Sequence, residues 1–394
     1  MGTGLFLAGS TVFFVRVVGL SAAQVGVGLA IAGAIGFVGT VPLGMLADRI
    51  GAKRMLVLMQ GWRAVWFVAL AFTDGPVSFT AVSACLVLAE RVVPSANQAV
   101  IALAVSEQER TRTMAAVRSV RNIGFSIGSL LAAPILVSTS MWMFRSIIIG
   151  DALSFVLTVV LLLRLAVSTP TAAPAPRRAG PLRHLRGFSD WRYLALTAVN
   201  GVLSLHLTLL SLAIPIWAVE ATAAPVGVVP LLVLLNTVLA VVFQVPFSRG
   251  SAEPAFGGRA FRRAGLSLAL CCVTLAAAGS GGPSFAVGML IAGTIAMTAG
   301  ELWQSVGSWE LSYRYAPESR RVEYLSIFSL GVTVQEVAGP LLVAFLLATG
   351  EVGWLFVAVL FVLAFMLTPA VVGTLERRWR QAADPVSEPV PANV

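Results

Sequence analysis

Charge is scarce in this chain of 394 residues: 11% are Asp, Glu, Lys or Arg, against roughly 25% in a soluble domain. So few charges could not cover the surface of water-soluble domains of this total length, and that class is excluded. Histidine is scarcer still, with two residues, and the three cysteines, Cys85, Cys271 and Cys272, each sit in an apolar run. Neither a disulfide framework nor a metal site can be assembled from that inventory. Acidic residues number 18 against 27 basic ones, for a net charge of +9. In a soluble protein that excess would suggest nucleic acid. Here the basic residues occupy short turns between apolar runs, the pattern of a membrane protein with a positive cytoplasmic side. A nucleotide loop, a metal cluster and a nucleophile elbow are all missing, so neither an enzyme nor a cofactor is expected.

What the chain has in quantity is apolar surface, with 58% hydrophobic residues and a mean hydropathy of +0.89. Its length holds about a dozen helices of roughly 20 residues. Breaks in hydrophobicity delimit twelve spans, near 4–15, 24–46, 55–72, 79–104, 114–137, 146–163, 193–219, 226–247, 264–278, 285–311, 324–347 and 354–372. One set of turns carries Arg49, Lys53, Arg54, Arg110, Arg112, Arg249, Arg259, Arg262, Arg263, Arg314, Arg320 and Arg321, and the linker and tail add more. The alternate set has only Arg16 and Arg145. This asymmetry places both termini in the cytoplasm and demands an even number of crossings.

The middle of the chain is a Pro- and Ala-rich stretch from Ser168 to Arg178, extended and semi-rigid by composition. It suggests a division into residues 1–165, a cytoplasmic linker at 166–190, a second set of spans at 191–374 and a disordered tail at 375–394. A repeat supports that division. A shift of 211 positions carries Glu90 onto Glu301, Glu107 and Arg110 onto Glu318 and Arg321, and Gly128 onto Gly339. The first span is short for a crossing, so a truncated first helix is expected. A cleaved signal peptide is disfavoured, because no basic leader or small-residue cleavage site is present.

The densest motif is Gly44-Met45-Leu46-Ala47-Asp48-Arg49-Ile50-Gly51-Ala52-Lys53-Arg54, a tight charged turn between two apolar runs. It resembles the loop between the second and third helices of the major facilitator superfamily, matching at Gly44, Asp48, Arg49, Gly51, Lys53 and Arg54. The resemblance implies an all-α membrane protein of twelve helices in two pseudo-symmetric six-helix halves, moving a small molecule by alternating access. It also implies that Asp48 sits against the positive N-terminus of a helix in the other half, plausibly the eleventh, with Arg49 and Arg54 adding charge links to the same latch. The bland alternative is a plain topology anchor. Leu212 to Trp217, Asn236 to Pro246 and Gly300-Glu301-Leu302 resemble stretches of the bacterial drug:proton antiporter branch.

Ionisable groups inside spans are expensive and mark function by default. Glu90 and Arg91 lie in the fourth span, where Arg91 followed by Asn97-Gln98-Ala99 resembles a superfamily motif, with Pro94 and Ser95 departing from it. The resemblance implies proton transfer there; the pair either acts together or points into separate structural pairs. Glu301 in the tenth span is expected to face Glu90 across a cavity. Asn97, Arg121, Asn122, Asn200, His206, Gln304 and Glu336 are candidate cavity polar groups, each also readable as an interhelical bond. Trp66, Trp303, Trp309, Phe125 and Phe328 are candidate apolar linings. The expected function is proton-driven export of amphipathic molecules by a monomer in a bacterial plasma membrane, with the proton gradient as energy source and no nucleic acid. Proton symport of a metabolite, or a non-transporting sensor, are the alternatives.

Overall fold

Helix follows helix along this chain because nearly every apolar run is long enough to satisfy its own backbone in lipid. The computed structural model describes residues 20–136, 141–165, 188–225, 227–251, 253 and 255–383. Among these residues there is no strand. The helical spans are α1 (Ala22–Ile50), α2 (Ala52–Leu70), α3 (Pro76–Ala104), α4 (Glu107–Leu136), α5 (Met141–Arg164), α6 (Trp191–Glu220), α7 (Val228–Phe247), α8 (Phe256–Ala278), α9 (Pro283–Arg314), α10 (Arg321–Thr349) and α11 (Glu351–Ala383). They correspond in order to the second to twelfth spans read from the sequence. The first of those spans, most of the linker and the end of the tail lie outside the described residues.

Eight of the helices are long and apolar enough to cross a membrane. The other three, α2, α4 and α5, carry charges in their interiors: Arg63; Arg118 and Arg121; Arg145 and Asp151. Large apolar side chains such as Val38, Val77 and Leu341 are 73%, 82% and 74% exposed, a density of uncovered hydrophobic surface that only lipid accommodates. The chain is a multi-pass membrane protein.

Local chemistry sets the helix ends. Ser21 caps α1, accepting from the N–H of Gln24 while its own N–H donates to the Gln24 side chain, the reciprocal pairing of a capping box. Proline opens α3 at Pro76 and α9 at Pro283, where its missing N–H costs nothing. α1 and α2 are separated by Gly51 alone, at φ 95°, a conformation closed to side chains with a Cβ. Inside α6 the chain loosens into a π-helical segment at Leu209–Ala213, just after His206.

Packing divides the helices into two groups. Phe67, Leu70, Phe79, Leu86, Ile148 and Phe155 hold α2, α3 and α5 together with the start of α1, and α4, which lies between α3 and α5 in the chain, is counted with them. A larger core joins α6 to α11 through Tyr193, Trp217, Phe261, Leu268, Trp354 and Phe361. A third cluster straddles the groups, bringing Ala47, Met55, Val92 and Ala99 against Tyr313, Val322 and Leu325. That straddling cluster lies at the end where Arg49, Lys53, Arg110, Arg314 and Arg321 gather, hereafter the basic end. Shifted by 211 positions, α3, α4 and α5 start within about one helical turn of α9, α10 and α11.

Replacement of Gly51 by Ala forces a Cβ into the left-handed region, at a strain of about 1–3 kcal/mol. The Gly51→Ala protein is expected to unfold at a lower temperature in detergent than the parent; an unchanged midpoint would show that the turn relaxes without loss.

Candidate functional site

At the basic end the two groups meet through backbone rather than through long side chains. The Asp48 carboxylate accepts from the N–H groups of Val322 and Glu323, both at 2.8 Å. Those donors belong to the first turn of α10, where no intrahelical acceptor exists. A carboxylate there also meets the positive pole of the helix. One turn before Asp48, on the same face of α1, Gly44 lets the helices touch: a Cβ added to it would stand 2.9 Å from Ser326 Cβ and 3.1 Å from the Val322 carbonyl. Lys53 reaches another helix end, donating to the Leu165 carbonyl at 2.7 Å after α5. Arg49 and Arg54 are exposed.

Further bonds tie the groups together beside this contact. Gln98 on α3 donates to the Trp309 carbonyl at 3.2 Å and to Ser312 at 3.1 Å. Thr111 on α4 donates to Glu310 at 2.9 Å. The Tyr313 ring receives Arg110 from α4 at 3.7 Å and Arg321 from α10 at 4.1 Å.

Deeper along the bundle, three ion pairs join helices. Glu90 is paired with Arg63 of α2 at 3.6 Å, and Arg63 also stacks over Phe155 at 4.0 Å. Arg91 turns the other way, to Glu336 at 2.8 Å and Thr333 at 3.1 Å on α10. Glu90 and Arg91, neighbours in sequence, therefore serve different helices, and Glu90 has Arg63 as its cation. Glu301 binds Arg118 of α4 and accepts from Asn236 of α7 at 3.0 Å. Two of the three pairs, Arg91 with Glu336 and Arg118 with Glu301, cross between the groups, each with the arginine on the first group and the acid on the second.

The remaining predicted residues fall into several places. Gln304 donates to Asn200 at 2.7 Å and lies 3.3 Å from Ser204, a buried network inside the second group. His206 is buried, its Nδ1–H donating to the Leu203 carbonyl at 2.8 Å. Asn97 and Asn122 are half-buried, and Arg121 is exposed. Trp303 is half-buried, packing on Phe247 and under Arg263, and Phe328 is buried beside Tyr193. The Phe125 side chain lies outside what is described. Asp151 is buried near Arg63, with Ser154 donating to it at 3.2 Å. Arg63 and Arg118 were the partners that sequence reasoning missed. Their signal was present in plain form, as isolated arginines inside apolar spans that needed an acid.

A family model described as Major Facilitator Superfamily matches residues 1–308. The fold is similar to that of the E. coli fucose:proton symporter, with TM-score 0.71 and 15% identity over 94% of this chain and 96% of that one. A bacterial homologue of the iron transporter ferroportin in an outward-facing state gives 0.68 and 18%, over 95% and 98%. A human organic anion transporter gives 0.67 and 15%, over 93% and 95%. No curated protein sequence matches the chain.

Removing one member of a buried pair strands the other. Arg118→Gln is expected to destabilise the protein by about 3–5 kcal/mol, and adding Glu301→Gln to recover most of that loss. Thermal unfolding of the single and double variants measures the coupling; additive losses would mean that the two side chains do not depend on each other.

Proposed function

The chain belongs to the major facilitator superfamily and is a membrane transporter, and we propose that it works as a proton-coupled secondary transporter of amphipathic small molecules, exporting them from a bacterial cytoplasm. In this reading twelve helices form two six-helix halves, residues 1–165 and 191–374, joined by the linker at 166–190, with the basic end and both termini in the cytoplasm. The observation that carries it is the Asp48 contact with the first turn of α10. It closes the basic end with bonds that a small rigid-body rotation would break together. Such bonds, made in one pose and absent in the other, are what a two-state element needs.

Glu301 is the proton-coupling residue in this scheme. As a carboxylate it holds Arg118 and so ties α4 to α9. A proton on Glu301 removes the charge that Arg118 binds, loosening the floor of the cavity toward the cytoplasm. Glu90, paired within its own group, affects that step only through its neighbour Arg91. The Arg91–Glu336 bond is a second tie of the same kind. The driving force is roughly 2.3 kcal/mol per charge per 100 mV, plus the pH gradient. Likeness of several stretches to drug:proton antiporters favours export. Uptake by proton symport is the second reading, supported by the arginines at mid-depth, since a protonated Glu301 would free Arg118 for a substrate.

Asp48→Asn puts an amide N–H₂ or a weaker acceptor against the α10 donors. It should shift the balance away from the pose closed at the basic end by about 1–2 kcal/mol, roughly 5–30-fold in population. Cysteines placed near Val322 should then react faster with a membrane-impermeant reagent from the cytoplasmic side; an unchanged rate would remove Asp48 from the latch. Glu301→Gln should leave substrate exchange possible but no longer driven by a pH gradient in proteoliposomes. Gradient-driven transport at the parent rate in that variant would assign coupling elsewhere, and the sign of the pH change distinguishes antiport from symport.

A further inference from the structure

One face of α4 changes its surroundings along its length. Arg110, Thr111 and Met114 on it are 5%, 1% and 9% exposed, pressed toward the second group, and Arg118 continues the same stripe to Glu301. Arg121, the next position on that stripe at helical spacing, is exposed. It stands roughly 20 Å along the helix from Glu107, within a hydrocarbon layer about 30 Å thick. A guanidinium at that depth cannot face lipid without a cost of several kcal/mol. Its face is the one that meets α9 below, where Arg118, one turn earlier, pairs with Glu301. The helices have therefore parted at Arg121, and its head lies in the space between the groups.

That guanidinium has no acid to neutralise it. Among the described residues the charge acting on it is that of Arg118, of the same sign. The mid-depth acids are otherwise engaged: Glu301 with Arg118, Glu336 with Arg91, Glu90 with Arg63 and Asp151 beside that same Arg63. Apart from Asp384 and Glu388 in the tail, the residues outside the description include no acid in their sequence. Among the described residues, the space between the groups thus holds Arg91, Arg118 and Arg121 against Glu301 and Glu336, one positive charge in surplus.

We propose that this space recognises an organic anion, an amphipathic molecule bearing a carboxylate, sulfonate or phosphate group, through the Arg121 guanidinium. The inference rests on the transport reading above and narrows its substrate, whichever direction the substrate moves. A planar fork of donors in a low-dielectric cleft suits an oxyanion in bidentate geometry. Arg118 on the same face is already bound by Glu301, which leaves Arg121 as the charge that answers an anion and repels cations.

The test uses purified full-length protein and probes that share one body and differ in charge: naphthalene-2-carboxylate, naphthalene-2-carboxamide and naphthylmethylammonium, with decanoate, decanamide and decylammonium as a second series. Thermal stabilisation titrated with each gives relative affinities. In at least one series the anion should bind best, lose about tenfold or more in affinity in Arg121→Gln, and keep part of that affinity in Arg121→Lys. Preference for the amide or the ammonium, equal anion binding in Arg121→Gln, binding in neither series, or the same stabilisation from chloride or sulfate would each overturn the proposal. Flux of the bound probe in proteoliposomes separates the two readings. A cation that is bound and carried removes the anion site and leaves the transporter, whereas anion binding that needs Arg121 without any flux does the reverse.

Discussion

An ion in a hydrocarbon layer must have a partner, and this constraint organises the interior of the protein. The cost of an unpaired charge at mid-bilayer, a few kcal/mol or more, exceeds what any single apolar contact returns. Arg63, Arg91 and Arg118 each find a carboxylate on a different helix. Because the partners are distant in sequence, the pairs define which helices can be adjacent and in what register. The first group is pinned by Arg63 between α2 and α3. The two groups are pinned to each other by Arg91 and Arg118.

The two kinds of interface differ in chemistry, and the difference suits motion. Within the second group the contact is apolar and interlocked, with Trp354, Phe361 and Leu268 wholly buried. Sliding such a surface would open cavities, so the group is stiff. Between the groups the contact at the basic end combines a small apolar cluster with polar bonds: Asp48 on backbone donors, Gln98 on Trp309 and Ser312, Thr111 on Glu310. Water can replace each of these polar bonds when the groups part, which leaves the small apolar cluster as the main cost of separation there. Stiff lobes joined by exchangeable bonds form a bistable pair. In the proposed cycle the proton selects between the two arrangements.

Legibility in the sequence followed the range of the interactions. Helices announced by long apolar runs could be placed to within a few residues, as Pro283–Arg314 and Arg321–Thr349 illustrate, because lipid demands a helix whatever the neighbours are; Glu351–Ala383 instead continues well past the expected 372, into the stretch expected to be a disordered tail. The Asp48 turn was legible through its motif, including the helix whose N-terminus it meets. Pairing at depth was not. Glu90 next to Arg91 suggested a couple, but successive residues on a helix point about 100° apart, and each went to a different neighbour. Which arginine would take Glu301 depended on α4 lying against α9, a fact of tertiary packing that no local pattern encodes. Trp303 and Phe328 were ambiguous for the same reason, since an aromatic residue in a span can face lipid, core or cavity without a change in sequence.

Asp48 illustrates why the basic end could act as a switch rather than a spring. A pair of long side chains can follow each other over several ångströms and weakens gradually. Asp48 has one short, two-torsion arm, and its acceptors are matched to two fixed backbone N–H groups at the start of a helix. Gly44, one turn earlier, permits α1 and α10 the close approach that this geometry requires. A displacement of an ångström or so removes both hydrogen bonds together, and with them the attraction of the helix pole, which fades within its first turn. The contact is consequently near full strength or absent, with little between. Arg320, close by and held by Glu323, keeps a positive charge beside the carboxylate in the closed pose. The energy of the contact is thus concentrated in one pose, which is the property a latch between two orientations needs.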